Sequence, residues 1–98
     1  MLILGRRVGE SLLVELPDDT LVITVLSMGT DCARVRIHLE EADISQRCFL
    51  LECEPFEIEI AGIRITVVVA EVRSLHVRLG IDAPKGVSIS RTEVPTAA

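Results

Sequence analysis

The feature that most restricts the fold of this chain is the near-continuous run of short β-strand patterns. "TLVITVLSM", "CARVRIHL", "FEIEIAG", "IRITVVVAEV" and "LHVRLGI" alternate apolar with polar residues or are unbroken β-branched stretches. Pro17-Asp18-Asp19 and Gly29-Thr30-Asp31 punctuate them as turns. Only "LEEADISQR" is compatible with a short helix. The apolar fraction is 49%, with no Trp or Tyr and two Phe, Phe49 and Phe56. The core is therefore aliphatic, and β-branched richness of this kind favours sheet over helix. The expectation is one all-β domain over residues 1–98. A core this small is marginal alone, so a partner or a fused second half would help it.

Composition narrows the function classes. The net charge of −5 argues against non-specific nucleic-acid binding, although a small basic patch on an acidic body remains open. Arg6 and Arg7 interrupt the N-terminal apolar run, so it does not read as a signal peptide. No stretch approaches ~20 apolar residues, so no membrane span is expected. Three cysteines, Cys32, Cys48 and Cys53, read as reduced thiols of a cytoplasmic protein. Cys48 and Cys53 sit at strand spacing that turns them to opposite faces, so no metal pair is expected. His38 and His76 read as sheet residues. The pairs Asp18-Asp19 and Glu40-Glu41 read as solvated turns. No phosphate loop, Ser/His/Asp set or zinc spacing is present. An enzyme is not expected, and neither is a cofactor.

The chain also lies on itself. "CFLLECEPFEIEI" falls on "MLILGRRVGESLL", "ITVVVAEV" on "LVITVLSM", and "HVRLGI" on "ARVRIHL". The plain explanation is that any two alternating strands align. The sharper one is a tandem duplication, with repeats at 1–47 and 48–94 and a tail at 95–98.

The two ends carry the most specific motifs. The chain opens "MLILGRRVGES" and closes "HVRLGIDAPKGVSISRTEV". An apolar strand ending in a double Arg and Val-Gly-Glu, then Val-Arg-Leu-Gly-Ile-x-Ala-Pro-Lys, a strand and Arg, resembles the carbon storage regulator family. These are small bacterial RNA-binding proteins that control translation. The resemblance covers residues 1–10 and 77–93 most closely. It implies a strand-exchanged β-sandwich, here a pseudo-dimer of two such repeats in one chain, folded as a monomer. It implies an RNA surface where the first strand of one half meets the last strand of the other. The residues carried over are Leu4, Gly5, Arg6 and Arg7 from the first strand. From the end of the chain they are Ala83, Pro84, Lys85, Ile89, Ser90 and Arg91. Arg6 and Arg7 are adjacent on a strand, so one can face RNA while the other packs or pairs with a carboxylate.

The implied ligand is single-stranded or hairpin-loop RNA containing GGA, in an mRNA leader or in a small RNA that sequesters the protein. A protein antagonist is a further implied partner class. The symmetry-related surface reads as dismantled: Glu52-Cys53-Glu54-Pro55-Phe56 stands against Gly5-Arg6-Arg7-Val8-Gly9, and the segment around Arg47 lacks an Ala-Pro-Lys loop. One working site is therefore expected. The family's C-terminal helix is not expected here, because Pro95 follows Arg91 closely. The rival readings are a protein-interaction module of the same fold without RNA binding, and an unrelated small β-barrel scaffold.

Overall fold

The computed structural model describes residues 1–91. The expectations for residues 92–98, the stop at Pro95 and the tail, lie outside the described residues. Nine strands follow one another: β1 Leu2–Arg6, β2 Ser11–Glu15, β3 Thr20–Met28, β4 Cys32–Leu39, β5 Ile44–Leu51, β6 Phe56–Ile60, β7 Ile63–Val72, β8 Val77–Asp82 and β9 Ser88–Arg91. They form two antiparallel sheets, ordered β1-β8-β7-β6 and β5-β4-β3-β2-β9. The all-β expectation holds, and the sheets exchange strands between the two halves of the chain. β1 leaves its own half to pair with β8, and β9 leaves its half to pair with β2.

The core follows directly from strand alternation. Leu12 and Val14 of β2, Leu21, Ile23 and Val25 of β3, and Val35 of β4 face Ile65, Val67 and Val69 of β7 and Val77, Leu79 and Ile81 of β8. All are essentially inaccessible, and none is polar. The radius of gyration is 12.7 Å, which matches the ~13 Å of a compact domain of about 100 residues. One chain thus closes its own core.

Backbone features recur at a constant spacing. The register shift at Val25/Ser27 between β3 and β4 returns at Val69/Glu71 between β7 and β8. The Gly9 N–H donates to the Val25 carbonyl at 2.8 Å, and the Cys53 N–H to the Val69 carbonyl at 2.8 Å. Glu10 N–H to Arg7 carbonyl is matched by Glu54 N–H to Leu51 carbonyl, and Gly29 to Cys32 by Arg73 to His76. Each member of these pairs stands 44 residues after its counterpart, with no gap. "ITVVVAEV" on "LVITVLSM" has this spacing, whereas "CFLLECEPFEIEI" on "MLILGRRVGESLL" does not. Gly5-Arg6-Arg7-Val8-Gly9 stand opposite Phe49-Leu50-Leu51-Glu52-Cys53, three positions earlier than Glu52 to Phe56. The left-handed backbone at Gly9 (φ 91°) and at Cys53 (φ 66°) marks the same corner in both halves.

The helix considered for "LEEADISQR" does not form. Residues 40–43 turn, and β5 begins at Ile44. The physical reason is a carboxylate and a free strand edge. Asp19 accepts from the N–H groups of Thr20 (2.7 Å), Glu41 (2.7 Å) and Ala42 (3.2 Å), which locks a turn where a helix would start. The following residues then pair with β4 along its whole length, from Leu39 opposite Ile44 to Cys32 opposite Leu51. Asp19, read from sequence as a solvated turn residue, is held below the usual aspartate range, chiefly by the hydrogen bond from Glu41.

Candidate nucleic-acid interface

Strand alternation separates the two arginines at the end of β1. Arg6 turns inward and is 5% exposed, whereas Arg7 faces solvent. The Arg6 guanidinium donates through Nε to the Gly5 carbonyl at 2.8 Å and through Nη1 to the Ser11 carbonyl at 3.3 Å. Its Nη2 lies 3.7 Å from Glu10 Oε1. The Glu10 carboxylate also accepts from the Arg7 N–H at 2.8 Å. The Arg-Arg-Val-Gly-Glu sequence is thus a self-braced corner. Gly9 supplies the left-handed step, and Glu10 ties the backbone of one Arg to the side chain of the other.

The other half of the surface is β9. Arg91 pairs with Leu12, the residue after the Ser11 whose carbonyl Arg6 holds. Arg6, Arg7 and Arg91 therefore gather at one corner of the sandwich. The loop from β8 to β9 sits at the opposite end of β1, because Leu2 pairs with Ile81 just before Ala83. Ala83 is half-buried, Pro84 and Lys85 are exposed, and Gly86 takes a left-handed φ of 92°. The Val87 N–H closes the turn on the Pro84 carbonyl at 3.3 Å. β1 and β9 consequently run in the same direction as the edge strands of two facing sheets, with Lys85 at their start and the arginines at their end.

Along that border, Leu4 and Ile89 are half-buried and pack against the core, and Ser90 lies half-buried opposite Leu13. A side chain at Gly5 would bring its Cβ to 3.3 Å from the His76 ring, so the absence of a side chain keeps this edge low. The ten residues carried over from the sequence thus lie along one border. Arg6 differs from the rest: its fork is occupied with backbone carbonyls.

The symmetry-related border is not assembled among the described residues. Residues 44–47 are in register with β9, but they continue into residues 48–51 as the single strand β5 on β4. Seen in this way, Arg47 and residues 51–54 belong to one strand and its closing turn, and two strands do not meet there. Among the described residues no strand pairs with the outer edge of β6, the counterpart of the edge of β2 that carries β9. The cause is chain length: the halves join without a linker, so the same residues cannot both cross to β6 and line β4. Glu52 is also not a bare charge. It is half-buried, bridges to Val69, and its Oε2 accepts from the Val72 N–H at 3.0 Å.

No group of His, Cys, Asp and Glu able to hold a metal occurs among the described residues. Cys48 is buried, and that burial pushes its thiol pKa up. No helix among the described residues is long and apolar enough to cross a membrane. Sequence reasoning missed a second basic grouping, Arg34, Arg36 and Arg47 beside Phe49 on the outer face of β4 and β5. Its signal was the alternating Arg in "CARVRIHL", but the pairing of β4 with β5 was needed to see it.

Comparison with known proteins yields no match among curated proteins and none among solved structures. A family model does match: residues 57–98, from β6 through β9 and on to the end of the chain, are similar to the CsrA global regulator protein family.

Proposed function

We propose that this protein is a cytoplasmic RNA-binding post-transcriptional regulator, built as a fused pair of CsrA-like repeats, with one site for a GGA-containing loop in an mRNA leader. The observation that carries the reading is the border where β1 and β9 run in the same direction as edge strands of the two sheets, with Arg7 and Arg91 exposed at its end. The similarity of residues 57–98 to a regulator family and the 44-residue recurrence of the backbone pattern support it. Guanine presents O6 and N7 to a planar Arg fork. Arg7 and Arg91 serve as the forks, and Arg6 holds the corner that aims them. Unstacked loop bases expose edges that backbone groups at the border can read. The Ala83-Pro84 step lacks one N–H, which leaves carbonyls to accept from a base amine. Regulation is by occupancy, since covering a ribosome-binding site blocks initiation without breaking a bond. Fusion makes association of the halves intramolecular.

The test is titration of a GGA-loop hairpin against the same hairpin with CCA. Each lost guanine contact is expected to cost roughly 1–3 kcal/mol. One RNA should bind per chain, Arg91→Ala should nearly abolish the preference, and Arg47→Ala should leave it intact. Equal binding of the two hairpins would refute the reading. It would favour a protein-interaction module, for which the edge of β6, unpaired among the described residues, is the supporting observation, because an extended peptide can add a strand there.

A further inference from the structure

The outer face of β4 and β5 concentrates positive charge on an acidic protein. Arg34 pairs across the strands with Phe49, and Arg36 with Arg47. All four side chains are exposed, Phe49 by 58%. Three of the ten basic residues thus share one patch of a chain whose net charge is −5. The Arg34 guanidinium lies over the Phe49 ring at 5.9 Å from its centroid. A shallow depression between Leu26, Ser27, Arg34, Arg47, Cys48 and Phe49 adjoins the ring.

The matching face of the other sheet shows what a silent version of this surface looks like. Arg78 is in register with Arg34, and Glu71 neutralises it at 3.7 Å. The residue in register with Glu71 is Ser27, so Arg34 has lost that carboxylate. Gly80 is in register with Arg36. Met1 lies over it so closely that a Cβ there would fall 2.6 Å from the Met1 Sδ. One face is thus neutralised and covered, and the other is charged and open. No carboxylate forms an ion pair with Arg34, Arg36 or Arg47 among the described residues. Directly opposed like charges such as Arg36 and Arg47 destabilise a sheet, and a bound anion relieves that cost.

We infer that this face is a second, sequence-independent contact for single-stranded RNA, with Arg34, Arg36 and Arg47 on phosphates and Phe49 as a stacking platform. Cationic groups tracking a backbone beside an exposed ring are what unstacked nucleotides require. An acidic protein would use the charge but has no need of the ring. The patch lies at the β5 edge of the five-stranded sheet and the GGA border at the β9 edge. Four strand spacings separate these edges, about 19 Å. The row in register with Arg36, Thr24 and Ser11, is uncharged, and the exposed Glu15 stands at the other end of β2, so one RNA can run along the Ser11 end of the strands from one to the other. The inference takes its ligand class from the function proposed above, but it does not depend on GGA preference.

The test is fluorescence anisotropy over a salt series with a uridine-only oligonucleotide of about twelve nucleotides, which offers phosphates and bases without guanine. The double variant Arg34→Gln/Arg47→Gln should lower the slope of log affinity against log salt by about 1.4, at roughly 0.7 per single-strand phosphate contact. Phe49→Ala should weaken binding about fivefold or more at fixed salt. These side chains are exposed, so the variants keep the fold and the GGA preference of the hairpin. Arg91→Ala should do the reverse, removing GGA preference and sparing uridine binding. A wild type without GGA preference, but with uridine binding that depends on Arg34, would defeat the border reading and support this one. Uridine binding unchanged by the double variant would overturn the inference. So would displacement of the oligonucleotide by an Asp-rich peptide at equal concentration, which would assign the face to an acidic protein.

Discussion

Arg6→Ala is the most informative single perturbation, because it separates a brace from a ligand. Arg6 is 5% exposed and Arg7 is exposed, yet both are expected from sequence to belong to the RNA surface. The contact with Glu10 at 3.7 Å adds little, since Glu10 is 40% exposed and solvent screens the pair. The larger contribution comes from the guanidinium hydrogen bonds to the Gly5 and Ser11 carbonyls, at 2.8 and 3.3 Å. Hydrogen bonds to charged groups are worth about 1.5–3 kcal/mol each, and the longer of these two belongs at the low end. The buried aliphatic stem adds packing that Ala cannot replace. A loss of about 3–5 kcal/mol follows, and a domain of this size loses roughly 4–8 °C of melting temperature per kcal/mol. Thermal unfolding followed by circular dichroism should therefore place Arg6→Ala roughly 12–40 °C below wild type. Arg7→Ala should melt close to wild type and lose RNA affinity instead. Arg6→Met, which keeps the stem, should fall between Arg6→Ala and wild type. An Arg6→Ala protein that melts within about 2 °C of wild type would refute the bracing role.

Three further outcomes follow from the geometry. Cys53 holds a φ of 66° that its counterpart Gly9 reaches at no steric cost, so Cys53→Gly should stabilise the fold by about 0.5–1 kcal/mol in urea denaturation. Gly9→Ala should destabilise it by about 1 kcal/mol or more. Asp19 has a folded pKa below its unfolded one, so its contribution is present above the unfolded pKa and is lost as pH falls through the folded value. Unfolding measured from neutral pH down through the carboxylate range should show Asp19→Asn with a smaller acid-induced loss than wild type. Finally, the core closed within one chain predicts a melting temperature that does not change on dilution through the low micromolar range. A concentration-dependent melt would show that a second copy completes the fold.

The strand content, the aliphatic core and the motifs at the two ends were legible in the sequence, because period-two alternation and turn residues are local properties. Leu12, Val14, Ile23 and Val67 are buried for the reason their spacing suggests. The opposite facing of Arg6 and Arg7 was equally local, but which one is buried was not. That depended on Glu10 and the Ser11 carbonyl across the corner. "LEEADISQR" looked helical because its polar residues carry no strand period. An Asp19 carboxylate about twenty residues away and the open edge of β4 made it a turn and a strand. The same pairing absorbed residues 44–47 into β5, which is why the described residues form one border between first and last strands. The similarity of the chain to itself does not define a register, since alternating strands slide by a few residues at little cost in similarity. Register is decided by hydrogen-bonded corners such as Gly9 to Val25 and Cys53 to Val69, where a left-handed residue and a carbonyl from another strand must coincide. The strand patterns and end motifs were therefore determined by the sequence alone, and the count and composition of the surfaces they build were decided by which edges the folded chain could reach.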